Sequence, residues 1–275
     1  MGTSSSYGGP KDTNQLIPPW ARPEIDPQSP TEPEKDSNPP QETPKQNDKT
    51  KKWQKAKNTM SRYASNGGGV DRLRKAGSAY TAAKGGAKKA AALAASGKKS
   101  AKRIALFLAT TASSGISEGL RSIGLSELVG KDIDTVFNGI FEALTDKGND
   151  FDSAIARQAM EDALIEQYSQ CSKNNNFDSM EHLDSTQIKE SIESYVGSYV
   201  YKKWLQELGN CIERKSVSAK EAVKLEKEVK VFVNDLVSLE LGSRDILTID
   251  WSSDEGESVI SSIFEDVYSL LGDNE

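Results

Sequence analysis

From Asp132 to the C-terminus, apolar residues return at steps of three and four, the spacing that lines one face of an α-helix. Ile133, Val136, Phe137, Ile140, Phe141 and Leu144 form the first such face, and Phe151, Ile155, Ala159, Ala163, Leu164 and Tyr168 the next. Asp184-Ser185-Thr186-Gln187 has the form of a capping box and predicts a long helix carrying Ile188, Ile192, Tyr195, Tyr199 and further apolar positions to Ile212. Ser218 with Glu221, and Ser252 with Glu255, open two more helices. The first of these sets Ala222, Leu225, Val229, Phe232, Leu236 and Leu239 on one seam, too short for a free coiled coil and suited to packing inside a bundle. The second presents Ile260, Ile263, Phe264, Val267 and Leu271. Only Asp245 to Trp251 has strand character.

The pattern weakens toward the front. Lys49 to Tyr63 predicts a basic helix bearing Trp53, Met60 and Tyr63, and Asn66-Gly67-Gly68-Gly69 a break. Val70 to Ala95 is dominated by Ala, Lys and Gly, with Ala90 to Ala95 a strong helix former, and Gly97 is expected to end that helix. Ser100 to Ala112 then begins a more apolar helix. All ten prolines lie within the first 44 residues, among Ser, Asn, Gln and Glu. Such a stretch cannot bury enough apolar surface to fold alone. The expected architecture is an all-α helical bundle of seven or eight helices behind a long disordered Pro-rich N-terminal arm. Its zones are the arm (1–48), a basic Lys/Ala/Gly-rich helical segment (49–103) and an acidic α-helical bundle (104–275).

Charge sharpens that division. Residues 1–48 carry 4 basic and 8 acidic groups, residues 49–103 carry 16 and 1, and residues 104–275 carry 15 and 32, so a basic belt lies between two acidic blocks. Such a belt can attract an external polyanion or dock on its own acidic neighbour, and the sign pattern does not choose. Lys88, Lys89, Lys98, Lys99, Lys102 and Arg103 are the candidate nucleic-acid contacts in the belt, where Trp53, Tyr63 and Tyr80 interleave with the cations.

Catalytic motifs fail on inspection. The single histidine, His182, has no second ligand at metal-binding spacing, so a metal site is not expected. Ser96-Gly97-Lys98-Lys99-Ser100 lacks the form of a phosphate loop, and no cofactor motif is present. Cys171 and Cys211 stand 40 residues apart with no paired motif and read as two free thiols in a reducing cytoplasm. The longest largely apolar run, Ile104 to Ala112 with Thr110 and Thr111 inside it, is nine residues, against the ~20 a membrane-spanning helix needs. The chain is expected to be a cytoplasmic protein that is not itself an enzyme.

The arm holds the remaining chemistry. Met1-Gly2 allows removal of the initiator methionine, which exposes an unhindered glycine amine. Thr3, Ser4, Ser5 and Ser6 add hydroxyls without bulk, Tyr7 one aromatic anchor, and Gly8-Gly9-Pro10 a turn away. Such a tip has the form of a peptide threaded into a partner's site. It also fits the loose N-myristoylation pattern, and an arbitrary disordered start is the bland alternative. Leu16-Ile17-Pro18-Pro19-Trp20 is either a docking motif or an accidental apolar patch in a linker.

Together, Met1 to Pro10, Leu16 to Trp20 and the Lys/Ala/Gly-rich segment leading into an acidic helical body resemble the QatB family of the bacterial Qat anti-phage defence system. The resemblance implies a non-enzymatic protein acting beside an ATPase, a QueC-like enzyme and a TatD-like nuclease. It also implies conjugation of a deazaguanine base by the QueC-like partner to the N-terminal glycine, Gly2 here, with Thr3 to Pro10 as the recognition tip. Were the arm trimmed first, Gly8 or Gly9 would be the exposed residue.

Overall fold

The computed structural model describes residues 44–181, 183–242, 244–245 and 248–273. The chain divides at Glu42/Thr43, and the second unit is the helical body. Most of the expected arm, with its tip, and His182 lie outside the described residues.

Eleven α-helices run through the described residues: α1 Pro44–Ser65, α2 Val70–Lys84, α3 Ala87–Ala92, α4 Ala95–Ser114, α5 Ile116–Ser122, α6 Ile133–Leu144, α7 Phe151–Asn174, α8 Asp178–Glu181, α9 Ser185–Lys215, α10 Ala219–Gly242 and α11 Asp254–Gly272. A 3-10 turn at Ser126–Leu128 joins α5 to α6. Among the described residues no strand forms, so the all-α class stands; Thr248 to Trp251, in the stretch given strand character, bends into a turn. Asp250 accounts for that: its carboxylate accepts from the backbone and hydroxyl of Ser252 at 3.0 and 2.6 Å, which holds a turn instead of a ladder.

Helix α9 is the hub. It packs against α1, α4, α7 and α10. Its residues Tyr195 to Val200 are buried on every side, as expected for a helix inside a bundle rather than on its surface. Two glycines allow the close approaches: a β-carbon at Gly197 would meet Asn234 of α10 at 2.3 Å, and one at Gly97 of α4 would meet the Tyr199 ring at 2.6 Å. Local signals fix the ends. Asp184 and Gln187 complete the capping box of α9, and Asp132 and Asp150 cap α6 and α7 by accepting from Thr135 and Ser153 backbone N–H groups.

The bundle has eleven α-helices among the described residues where seven or eight were expected, because breaks such as Gly85-Gly86 and Gly115 divide the front of the chain into short helices, and five further expectations need correction. The helix from Val70 ends at Gly85, which adopts φ 97° and takes the left-handed cap, while Gly97 lies inside α4. Helix α1 starts at Pro44 rather than Lys49, with proline's fixed φ suited to a first helical position. The cap of α11 is Ser253, not Ser252, because the Ser252 hydroxyl is taken by Asp250. On α10 the buried row is Leu225, Val229, Val233, Val237 and Leu241, and Leu239 of the expected seam is 66% exposed. Likewise Phe151, first residue of α7, and Tyr168 are exposed, at 77 and 38%, while Ile155, Ala159, Ala163 and Leu164 are buried as the pattern requires.

Alanines do the packing in the basic segment. Ala76, Ala79, Ala83, Ala90, Ala91, Ala94 and Ala101 are buried, so α2 and α3 lie close against α11, and α4 against α7 and α9. Part of the belt docks on acidic residues of the same chain. Lys84 pairs with Glu207, Lys99 with Asp146 at 3.3 Å and Lys102 with Glu257 at 3.7 Å.

Candidate functional site

The N-termini of α4 and α7 meet the middle of α9 at a buried polar knot. Ala94, the residue before α4, has no side chain with which to cap it. Asp152 of α7 supplies the cap instead, its Oδ2 accepting from Ser96 N at 2.9 Å. Its Oδ1 accepts from Lys203 Nζ at 2.7 Å and from the Tyr199 hydroxyl. Ser96 and Ser153 hydroxyls lie 3.1 Å apart, and the Tyr195 hydroxyl donates to Gly97 O at 3.1 Å. Burial, then the neighbouring Tyr268 and the negative charge of Asp152, hold the Tyr199 phenol far above its ordinary range. The phenol therefore serves as a donor and not as a base. The knot fixes three helices.

A second cluster joins α1, α2 and α9. Tyr80 stacks on Trp204 at 5.8 Å, and Lys84 lies over the Trp53 and Tyr80 rings at 5.8 and 5.5 Å while pairing with Glu207. Trp53 and Tyr80, two of the aromatics that interleave with the cations of the belt, are thus spent on holding a lysine inside the bundle. The third, Tyr63, is buried and donates to Leu225 O at 2.9 Å.

Two of the open surface pockets among the described residues bear on function. The first is a cleft of about 630 Å³ between α4 and the start of α11. Lys98, Lys99, Lys102 and Arg103 line it beside Trp251, Ser252, Glu257 and Ser261. Four of the six cations expected to contact nucleic acid therefore share one cleft, whereas Lys88 and Lys89 are exposed on α3 away from it. Arg103 also donates to Thr145 O at 3.2 Å. The second feature is a groove of about 1280 Å³ between α2 and α10, floored by Leu73, Val231, Phe232, Leu236 and Leu239. Sequence periodicity assigned Phe232, Leu236 and Leu239 to a buried seam and so missed it. The signal was the competing row of apolar residues at four-residue steps on the same helix.

Gly2, Thr3 to Pro10 and Leu16 to Trp20, the candidate modification and docking residues, lie outside the described residues. Among the described residues no group of three or more His, Cys, Asp and Glu is placed to hold a metal ion, and no helix is long and apolar enough to cross a membrane. Cys171 is buried and Cys211 half-buried, both as free thiols.

These features define an all-α protein with a cationic cleft and an open apolar groove on its surface. The chain belongs to the QatB family: the family model described as Qat anti-phage system associated protein QatB matches residues 85–271, from the end of α2 through nearly all of α11. Membership makes it a component of that anti-phage defence system, and the family is one of accessory defence proteins. No curated protein and no solved structure matches the chain.

Proposed function

We propose that the chain is a non-enzymatic, cytoplasmic substrate and scaffold of Qat defence, whose helical body binds partner proteins and whose N-terminal tail is modified at Gly2 by a QueC-like enzyme. The observation that carries this reading is the family match over residues 85–271. The tip adds chemical support. An N-terminal glycine amine is unhindered, and the hydroxyl-bearing residues Thr3 to Ser6 leave room around it in an enzyme pocket. Gly2 is the acceptor amine for the deazaguanine base, and Tyr7 with Leu16 to Trp20 anchors the arm on the enzyme. The ATPase and the TatD-like nuclease are the other expected partners.

Intact and peptide mass spectrometry after co-expression with the QueC-like partner tests the proposal. The N-terminal peptide is expected to start at Gly2 and carry an added base. An unmodified terminus, or a Gly2→Ala variant modified as fully as the native chain, would overturn it. A mass placing the adduct on Gly8 or Gly9 would move the acceptor to a trimmed arm.

A second reading, a nucleic-acid-binding adaptor, is favoured by the convergence of Lys98, Lys99, Lys102 and Arg103 on one cleft. It ranks second because three of these four groups already engage carboxylate or carbonyl oxygens of the same chain.

A further inference from the structure

Helix α10 carries a second row of side chains at four-residue steps: Val223, Lys227, Val231, Asp235 and Leu239. All five are exposed, and the aliphatic three leave 51, 59 and 66% of their surface to solvent. They line the α2/α10 groove together with Phe232, Leu236 and the exposed Val70. A single exposed valine is ordinary, but three exposed aliphatics on one row, joined in the groove by Val70, Phe232 and Leu236, mark a contact surface.

The charges on the row choose the partner. Lys227 and Asp235 have no ion-pair partner among the described residues, although Lys224 and Glu228 beside them pair at 3.6 Å. Read backwards about Val231, the row is its own complement: Val223 exchanges with Leu239, and Lys227 with Asp235. A two-fold interface needs a patch that is complementary to itself under that reversal. A parallel pairing would instead put lysine on lysine and aspartate on aspartate. An unrelated partner would place no such symmetry on the row.

We propose that this face is a homodimer interface, in which α10 of two chains packs antiparallel about a two-fold axis at Val231. Each Lys227 lies opposite Asp235 of the partner subunit beside the axis, and Val223 and Leu239 flank the contact on either side. The apolar residues supply the burial and the two crossed ion pairs set the direction. The rim cations Lys220 and Lys224 remain at the edge, where solvent screens them.

Sedimentation velocity and light scattering of the full chain over a range of concentrations test the proposal. The native chain is expected at twice the chain mass, and Val231→Glu at the mass of one chain at the same concentration. Lys227→Asp and Asp235→Lys each set two like-charge contacts across the axis and are expected to weaken the dimer by about tenfold or more. The double variant Lys227→Asp/Asp235→Lys restores the pairs in reverse and is expected within about threefold of native affinity. All three positions are exposed, so circular dichroism and thermal melting are expected to stay native. A native chain that is monomeric throughout, including one that binds a different protein at this face, would overturn the proposal. So would a dimer indifferent to Val231→Glu, or a double variant no tighter than the single ones.

Discussion

Gly97 of α4 lies directly beneath the ring of Tyr199 of α9: a β-carbon there would stand 2.6 Å from both Cε2 and Cζ. The Tyr195 hydroxyl, one turn earlier on α9, donates to Gly97 O at 3.1 Å and ties the same two helices. Gly97→Ala gains up to about 1 kcal/mol of helix propensity but forces the buried ring aside, at a cost of about 1–3 kcal/mol for overpacking. A net loss of stability is expected, read as a lower urea midpoint with an unchanged slope. A neutral or stabilised variant would show that α4 and α9 are not this close.

Asp152 and Lys203 make the most buried ion pair at the knot, at 2.7 Å with side chains 17 and 11% exposed. Removing one charge strands the other in a low-dielectric site and also uncaps α4. Asp152→Ala is therefore expected to cost about 3–5 kcal/mol, and Lys203→Met added to it to recover part of that loss. Chemical denaturation of the two variants measures the difference.

Acid sensitivity should originate at helix caps. The backbone N–H of Thr135, joined by its hydroxyl, holds the Asp132 carboxyl below the usual carboxylate range, and the backbone N–H of Ser153 does the same for Asp150. A group whose pKa is depressed on folding stabilises the native state above its unfolded value, near 4, and loses that contribution as pH falls through the folded value. Stability is expected to decline below about pH 4, and Asp132→Asn with Asp150→Asn to flatten the decline, since asparagine still caps but does not titrate. Urea unfolding between neutral and acid pH tests this; an unchanged slope in the double variant rejects it.

The same residues show which parts of the fold could be read from sequence. The Asp184/Gln187 box was legible because both partners lie within one turn, so the signal is local. Gly97 was read as a stop because glycine disfavours helices locally; its reason for being there is Tyr199, about a hundred residues away, which no local pattern displays. Helix α10 offered two overlapping apolar rows, and only its neighbours α9 and α11 decide which is buried. Lys84 and Trp53 looked like a polyanion footprint because charge and aromatic content do not reveal that Glu207 and Tyr80 lie opposite them. The candidate tip at Gly2 came from chemistry and resemblance rather than periodicity, and lies outside the described residues.

The cleft at α4 separates the two functional readings in a way that truncating the tail cannot. Lys102 faces Glu257 at 3.7 Å, and that carboxylate is 74% exposed, so the pair is weak and the carboxylate repels any incoming phosphate. Lys98 lines the same cleft with no ion-pair partner among the described residues. For a polyanion seated there, Lys98→Glu is expected to weaken binding and lower the salt slope by about one counterion. Glu257→Gln is expected to do the opposite, strengthening binding by freeing Lys102. A salt titration of the native chain and both variants on a labelled DNA duplex measures the pair of effects. Two variants that move affinity in opposite directions place nucleic acid in the cleft. A native chain with no salt-dependent affinity leaves these cations to fold stability alone, where Lys98→Glu should change melting by no more than a surface substitution does.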